Sequence, residues 1–133
     1  MKRLVLAAVL VLISSAGLVA QNPAKLNIKP AYLKNLELGI MSENNGLSRS
    51  SVYLCGKYKI AELVNVLTEK VKKEEDESLR LLIALTLNEI STPESMAVVD
   101  GMSVNDPDLR VKKFCKLIMN EYLDTQKLVD VDY

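Results

Sequence analysis

The chain contains no histidine among its 133 residues. Histidine is the commonest general base and metal ligand near neutral pH, so its absence removes the most familiar routes to catalysis and metal binding. Neither Cys55 nor Cys115 has a histidine partner, which excludes a cysteine–histidine nucleophile. The few glycines are scattered along the chain, so no glycine-rich loop is available to hold a phosphate group.

Adjacent carboxylates are the remaining candidates for acid–base catalysis. Glu74 and Glu75 follow Lys72 and Lys73 directly, which places the acidic pair in a charged turn. A solvated turn is a commoner role for such a cluster than catalysis. We therefore expect no catalytic residue, no cofactor and no metal, and a protein that is not an enzyme.

Long apolar runs are confined to the N-terminus. Basic residues at 2–3 precede ten apolar residues at 4–13, and small residues follow, which is the layout of a secretory signal. A membrane-spanning helix needs about 20 mostly apolar residues, which this run does not reach. We predict a signal peptide over residues 1–20, cleaved after Ala20, and an exported protein, periplasmic or extracellular, with no stable membrane span. Cleavage after Gly17 and a retained anchor are the alternatives.

Cleavage would change the charge of the chain. The precursor carries 17 basic and 17 acidic side chains, and the loss of Lys2 and Arg3 leaves a net charge of −2. Proteins that bind nucleic acid neutralise phosphates with clustered Lys and Arg side chains. We therefore expect no nucleic-acid partner.

From Pro30 onward the apolar residues recur with helical spacing, and no alternation typical of a strand is present. The clearest helical stripe is Ile60, Leu63, Val64, Leu67 and Val71. Start signals predict six helices, of which the second begins near Leu47 and the fifth ends near Gly101. The predicted organisation is a linker at 21–29, one helical domain at 30–123 and an acidic tail at 124–133.

Three arginines repeat at nearly constant spacing. Arg49, Arg80 and Arg110 are separated by 31 and 30 residues, each near the start of an even-numbered helix. A polar residue that suits a helix cap stands four positions before each arginine: Asn45, Asp76 and Asp106. An apolar or aromatic residue stands four positions after each: Tyr53, Ala84 and Phe114. These fixed offsets predict three helical hairpins in register.

Residues 76–80 and 106–110, each with an opening aspartate and a closing Leu-Arg, resemble the short bacterial form of the HEAT-like repeat family. Residues 45–49 depart from the motif with Ser48 at its apolar position. The resemblance implies an all-α fold, a short α-solenoid of about three hairpins in a right-handed superhelical stack. It also implies that the arginines and their capping residues fix the stacking between repeats. A ladder of guanidinium groups for an anionic partner is the alternative.

The two cysteines lie in the first and third predicted hairpins. Helices pack 8–10 Å apart, so second helices two repeats apart should be roughly 20 Å from each other. A disulfide requires Cα atoms within about 7 Å. We predict two free and mostly buried thiols at Cys55 and Cys115.

Repeat folds of this kind act by binding. The sequence indicates an exported protein–protein interaction or scaffold module in the cell envelope, with a protein or peptide partner. The alternative is a regulatory or inhibitory subunit of an envelope complex. Three hairpins are near the minimum for a stable stack, so both a monomer and a homodimer formed through an uncapped end are expected states.

Overall fold

The computed structural model of the protein describes residues 27–131. The predicted signal peptide, residues 21–26 of the predicted linker and the last two residues lie outside this range. Every regular element between residues 27 and 131 is helical, and this part of the chain has no strand. The predicted all-helical class is therefore confirmed for the described residues.

Six α-helices and one short 3₁₀ turn make up the fold. In chain order they are α1 (Pro30–Ile40), α2 (Asn45–Lys57), the 3₁₀ turn (Ala61–Leu63), α3 (Val64–Lys73), α4 (Glu77–Ile90), α5 (Pro93–Asn105) and α6 (Leu109–Asp130). Pro30 and Pro93 stand in the first turns of their helices, where a missing N–H costs nothing. No helix in this range combines the length and the apolar character that a membrane crossing requires.

Most of the helix contacts join neighbours in the chain or next-but-one neighbours. Helix α2 packs on α1 and on α4, α6 packs on α5 and on α4, and α3 contacts α1, α4 and α5. Helix α4 is therefore central, and it also contacts α5. The Thr86 hydroxyl of α4 donates to the Val52 carbonyl of α2 at 3.2 Å, which fixes these two helices at close approach.

One hydrophobic cluster extends through all six helices. Its fully buried members are Ile40, Val52, Cys55, Leu67, Ile83, Ala84, Leu87, Val99, Val111 and Cys115, each with no exposed surface. Helix α4 supplies three of these side chains, although its Leu85 remains 43% exposed. The core therefore centres on α4, and the even-numbered helices supply most of it.

The cysteines are free and buried, as predicted. Burial, with a smaller effect from the charge of Glu62, raises the pKa of the Cys55 thiol to about 12. Burial, together with the charge of Asp106, raises the pKa of the Cys115 thiol to about 11. Both groups are neutral at physiological pH and pack as small apolar side chains.

Two helices extend beyond their predicted ends. Helix α5 continues through Gly101 to Asn105, because Met102 and Ser103 are buried in the turn that follows the glycine. Helix α6 continues to Asp130 and so includes residues 124–130 of the predicted tail. All side chains after Tyr122 are exposed, which explains why this last part of the helix shows no apolar period.

Candidate functional site

Arg49 connects α2 to the start of α4. Its Nη2 donates to the Asp76 carboxylate at 2.6 Å and also to the Ser78 hydroxyl. Its Nε donates to the Asn45 side chain at 2.7 Å. The Arg49 and Asp76 side chains are about one-third exposed, at 33% and 35%, so the ion pair is partly screened by water.

Arg80 makes the corresponding connection from α4 to the segment between α5 and α6. Its Nε and Nη2 donate to the two carboxylate oxygens of Asp106 at 2.9 and 3.1 Å, a bidentate pair. Its Nη1 donates to the carbonyls of Glu74 and Glu75 at 3.1 and 2.8 Å. The Arg80 and Asp106 side chains are only 7% and 3% exposed, so both charges lie inside the protein.

Arg110 has a different environment. It forms an ion pair with Glu77 at the start of α4 and lies 3.9 Å from Asp108 of its own helix start. Its side chain is 74% exposed. The first two arginines therefore reach forward along the chain to the next helix pair, and the third reaches back.

Of the three predicted helix caps, one is correct and two are wrong. Asp76 is the N-cap of α4 and accepts from the Ser78 N–H at 2.8 Å. Hydrogen bonds from the Ser78 side chain and backbone, with a further contribution from Arg49, lower the pKa of the Asp76 carboxyl to about 2. The Asp76 carboxyl is therefore ionised at neutral pH, where it serves as the anionic partner of Arg49.

Asn45 and Asp106 are not the caps that the sequence predicts. The N-cap of α2 is Asn44, which accepts from the Leu47 N–H at 3.0 Å, and Asn45 is the first helical residue. The N-cap of α6 is Asp108, whereas Asp106 is the C-cap of α5 and its carboxylate accepts hydrogen bonds from Arg80. Each motif offers two polar residues close together, and backbone geometry decides which of them caps the helix.

Asp76 and Asp106 are nevertheless equivalent in their contacts. Each accepts from the backbone N–H two residues ahead, from Ser78 at 2.8 Å and from Asp108 at 2.9 Å. Each also accepts from the arginine of the preceding even-numbered helix. The same local unit thus appears twice at successive positions along the fold.

A groove opens between α3 and α5, beside the Arg80–Asp106 pair. Its volume is about 440 Å³, and it is lined by Thr68, Val71, Lys72, Glu74, Arg80, Val98, Gly101, Met102, Asn105, Asp106 and Pro107. We call it the α3–α5 groove. Small-molecule and side-chain pockets are typically about 300–1,000 Å³, so its size suits one or two inserted side chains.

The lining of this groove combines apolar and polar side chains. Val71 lines it from α3, and Val98 and Met102 line it from α5. A Cβ atom placed at Gly101 would meet nothing within 4 Å, so the space beside this residue is open. The apolar part of the lining therefore suits an apolar side chain of a ligand.

A second groove lies between α1 and α2. It measures about 520 Å³ and is lined by Asn27, Ile28, Tyr32, Asn35, Leu36, Leu54, Tyr58 and Ile60. Tyr32 and Tyr58 are 60% and 44% exposed on it. Asn27 and Ile28, where the described chain begins, are part of its wall. The α3–α5 groove, in contrast, is lined by residues far from the start of the described range.

Sequence reasoning identified only part of these sites. Arg80 and Asp106 were singled out, but Val71, Val98 and Met102 look like ordinary members of helical stripes. Gly101 carried a usable signal, because a glycine in the interior of a helix often has a packing reason. Its position relative to α3 is a tertiary feature that the spacing does not contain.

No protein-family model, no curated protein and no solved structure matches this chain.

Proposed function

We propose that this chain is an exported interaction module, a short α-solenoid of three HEAT-like hairpins that binds a segment of a protein partner in the α3–α5 groove. The observation that carries the proposal is the groove itself, an open apolar cleft of about 440 Å³ between two successive hairpins. Clefts with a few polar groups among apolar walls are the usual binding sites of proteins.

The solenoid arrangement is supported by the order of the helix contacts. Paired as hairpins, α1–α2, α3–α4 and α5–α6 each pack internally, and α4 also contacts both α2 and α6. Repeat stacks have this nearest-neighbour pattern. The bonds from Arg49 to Asp76 and from Arg80 to Asp106 join successive hairpins, which supports a structural role for these arginines. The right-handed sense of the stack comes from the family resemblance.

The chemistry of the groove defines the partner. An apolar side chain fits between Val71, Val98 and Met102, where it removes apolar surface from water. The Asn105 side chain at the same site offers an amide donor and a carbonyl acceptor to a peptide backbone. We therefore propose a peptide segment with at least one exposed apolar side chain as the ligand.

The proposal is tested with a variant whose larger side chain fills the groove. Leucine at position 101, in the variant Gly101→Leu, would extend into the groove from a Cβ position that meets no atom within 4 Å. The matched control is Ala97→Leu, an exposed position one turn earlier on α5 that does not line the groove. Circular dichroism and thermal unfolding verify that both variants fold.

Each protein is then used to capture partners from the envelope fraction of its native host, with identification by mass spectrometry. We expect a partner that the wild type and Ala97→Leu recover and Gly101→Leu loses. Equal recovery of the partner by all three proteins would contradict binding in the α3–α5 groove. A stoichiometric partner would favour a subunit of an envelope complex, and several weak partners would favour a general adaptor.

The export part of the proposal rests on residues 1–20 and is tested separately. Intact-mass measurement of protein isolated from the periplasm or the culture fluid should give a chain that begins at Gln21. A chain that retains residues 4–13 would instead support the anchor alternative.

A further inference from the structure

One face of α6 is exposed along its length in the described structure, and only Arg110 at its start pairs with another helix, through Glu77 of α4. Arg110, Lys113, Leu117, Glu121 and Asp124 follow one another at intervals of 3, 4, 4 and 3 residues, and all five are exposed. At 3.6 residues per turn, these intervals place the five side chains in one sector of about 80°. We call this stripe the outer face of α6.

The corresponding positions of α2 and α4 are buried in the core. Counted from the arginine of each helix, the third residues are Val52, Ile83 and Lys113, and the seventh residues are Gly56, Leu87 and Leu117. Those of α2 and α4 are buried, and Gly56 lies directly against Thr86 of α4. Leu117 is 66% exposed. The outer face of α6 therefore occupies the position that stacks on another helix.

The charges of this face are arranged symmetrically about Leu117. Two basic residues lie seven and four positions before it, and two acidic residues lie four and seven positions after it. If a second α6 runs antiparallel with Leu117 facing Leu117, Arg110 lies opposite Asp124 and Lys113 lies opposite Glu121. The face is thus complementary to itself, which is what a two-fold interface requires.

We propose that two copies of this chain associate through the outer faces of their α6 helices, antiparallel and with Leu117 at the two-fold axis. The stripe from Arg110 to Asp124 is about 21 Å long at 1.5 Å per residue. A single pair of helices of this length is a small interface, so the dimer is weak and reversible, and its charge pairs make it sensitive to salt. No residue of α6 lines the α3–α5 groove, so the dimer presents two free grooves.

The test uses charge reversal in the purified full chain. Lys113→Glu and Glu121→Lys each place like charges opposite one another in a homodimer. We expect each variant to dimerise at least tenfold more weakly than the wild type in sedimentation equilibrium at low salt. An equimolar mixture of the two variants places opposite charges together at both sites, and it should form a heterodimer.

The control is Lys73→Glu, an exposed lysine at the end of α3, which should dimerise like the wild type. Circular dichroism establishes that each variant is folded, and Leu117→Asp supplies a second disruptive change at the axis. A wild type that remains monomeric to millimolar concentration would overturn the proposal. A dimer that survives both charge reversals and Leu117→Asp would overturn it as well, since another surface would then hold the copies together.

Discussion

The three arginines stand near the starts of α2, α4 and α6, yet their surroundings give them different energetic roles. Arg49 is partly solvated, and exposed ion pairs typically contribute about 0–1 kcal/mol to stability. Arg80 and Asp106 are almost completely buried, so the removal of one partner leaves a charge inside the protein. Arg110 is mostly in water. Stability should therefore depend on Arg80 far more than on the other two.

Replacement of the arginines by methionine tests this ranking. We expect Arg80→Met to lower the free energy of unfolding by about 3–5 kcal/mol, because Asp106 is left buried and unpaired. Arg49→Met and Arg110→Met should each cost about 1 kcal/mol or less. Urea denaturation followed by circular dichroism measures all three, and similar losses in the three variants would contradict the assignment of Arg80 as the central bridge.

The two cysteines give a prediction about reactivity. Their raised pKa values, about 12 for Cys55 and about 11 for Cys115, keep both thiols protonated and shielded in the folded protein. At pH 8 we expect Ellman's reagent to react slowly with the native chain and to release two thiols per chain after denaturation without reductant. A denatured chain with no free thiol would mean that the helices around Cys55 and Cys115 are in contact.

The same shifts have a consequence for stability against pH. Because the folded-state pKa lies above the ordinary value of 9.0, the contribution of each buried thiol is complete below about pH 9 and declines as the pH rises toward 11–12. Substitution of Cys55 by alanine should flatten this alkaline decline in urea denaturation. An unchanged alkaline profile would show that other groups cause it.

At the scale of single residues, the sequence predicts types of contact better than exact partners. The family resemblance gives Arg80 and Asp106 a role in stacking without pairing them, and the arginine spacing places the cap of α6 at Asp106 instead of Asp108. The distinction depends on which aspartate is buried by α4, and this follows from the three-dimensional packing. Tyr53, an expected apolar anchor, is 55% exposed and does not belong to the core.

At the scale of helices, glycine positions separate close packing from open space. A Cβ atom at Gly39 of α1 would clash with the Ser51 hydroxyl of α2, whereas one at Gly101 would meet nothing within 4 Å. Neither glycine has a positive φ, so alanine is compatible with both backbones. The two positions are therefore a matched pair for the same substitution.

Gly39→Ala and Gly101→Ala should have opposite effects. We expect Gly39→Ala to lower the free energy of unfolding by about 1–3 kcal/mol, because α1 and α2 must separate locally. Gly101→Ala should raise it by about 0.5–1 kcal/mol, because alanine favours the helix over glycine. Thermal and urea unfolding measure both effects, and destabilisation by Gly101→Ala would contradict an open α3–α5 groove.

Helix existence was predictable from sequence, and helix ends were less so. The apolar period and the caps located all six helices, because each has at least one buried stripe. The extension of α5 past Gly101 depends on the burial of Met102 in the tertiary structure. The extension of α6 after Tyr122 has no buried stripe, so the sequence contains no apolar pattern that would predict it. The spacing of apolar residues predicts the extent of a helix only where that helix contacts the core.

At the scale of the whole molecule, the order of contacts along the chain accounts for both proposed surfaces. The α3–α5 groove lies between two helices that are in contact, and no helix covers Leu117 on the outer face of α6 within the described residues. The arginine spacing predicts three hairpins in register. It could not predict the groove, since the groove depends on how α3 and α5 pack together.

The central claim is that a partner lies in the α3–α5 groove in the living cell. Asn105, at the groove, is replaced by a photoreactive phenylalanine analogue, and Glu89, an exposed residue of α4 outside both grooves, receives the same replacement as control. Irradiation of the exporting host should give a covalent adduct of defined mass from position 105, absent from position 89 and lost when Gly101→Leu is added. Adducts of equal yield from both positions, or an adduct at position 105 that survives Gly101→Leu, would contradict the account.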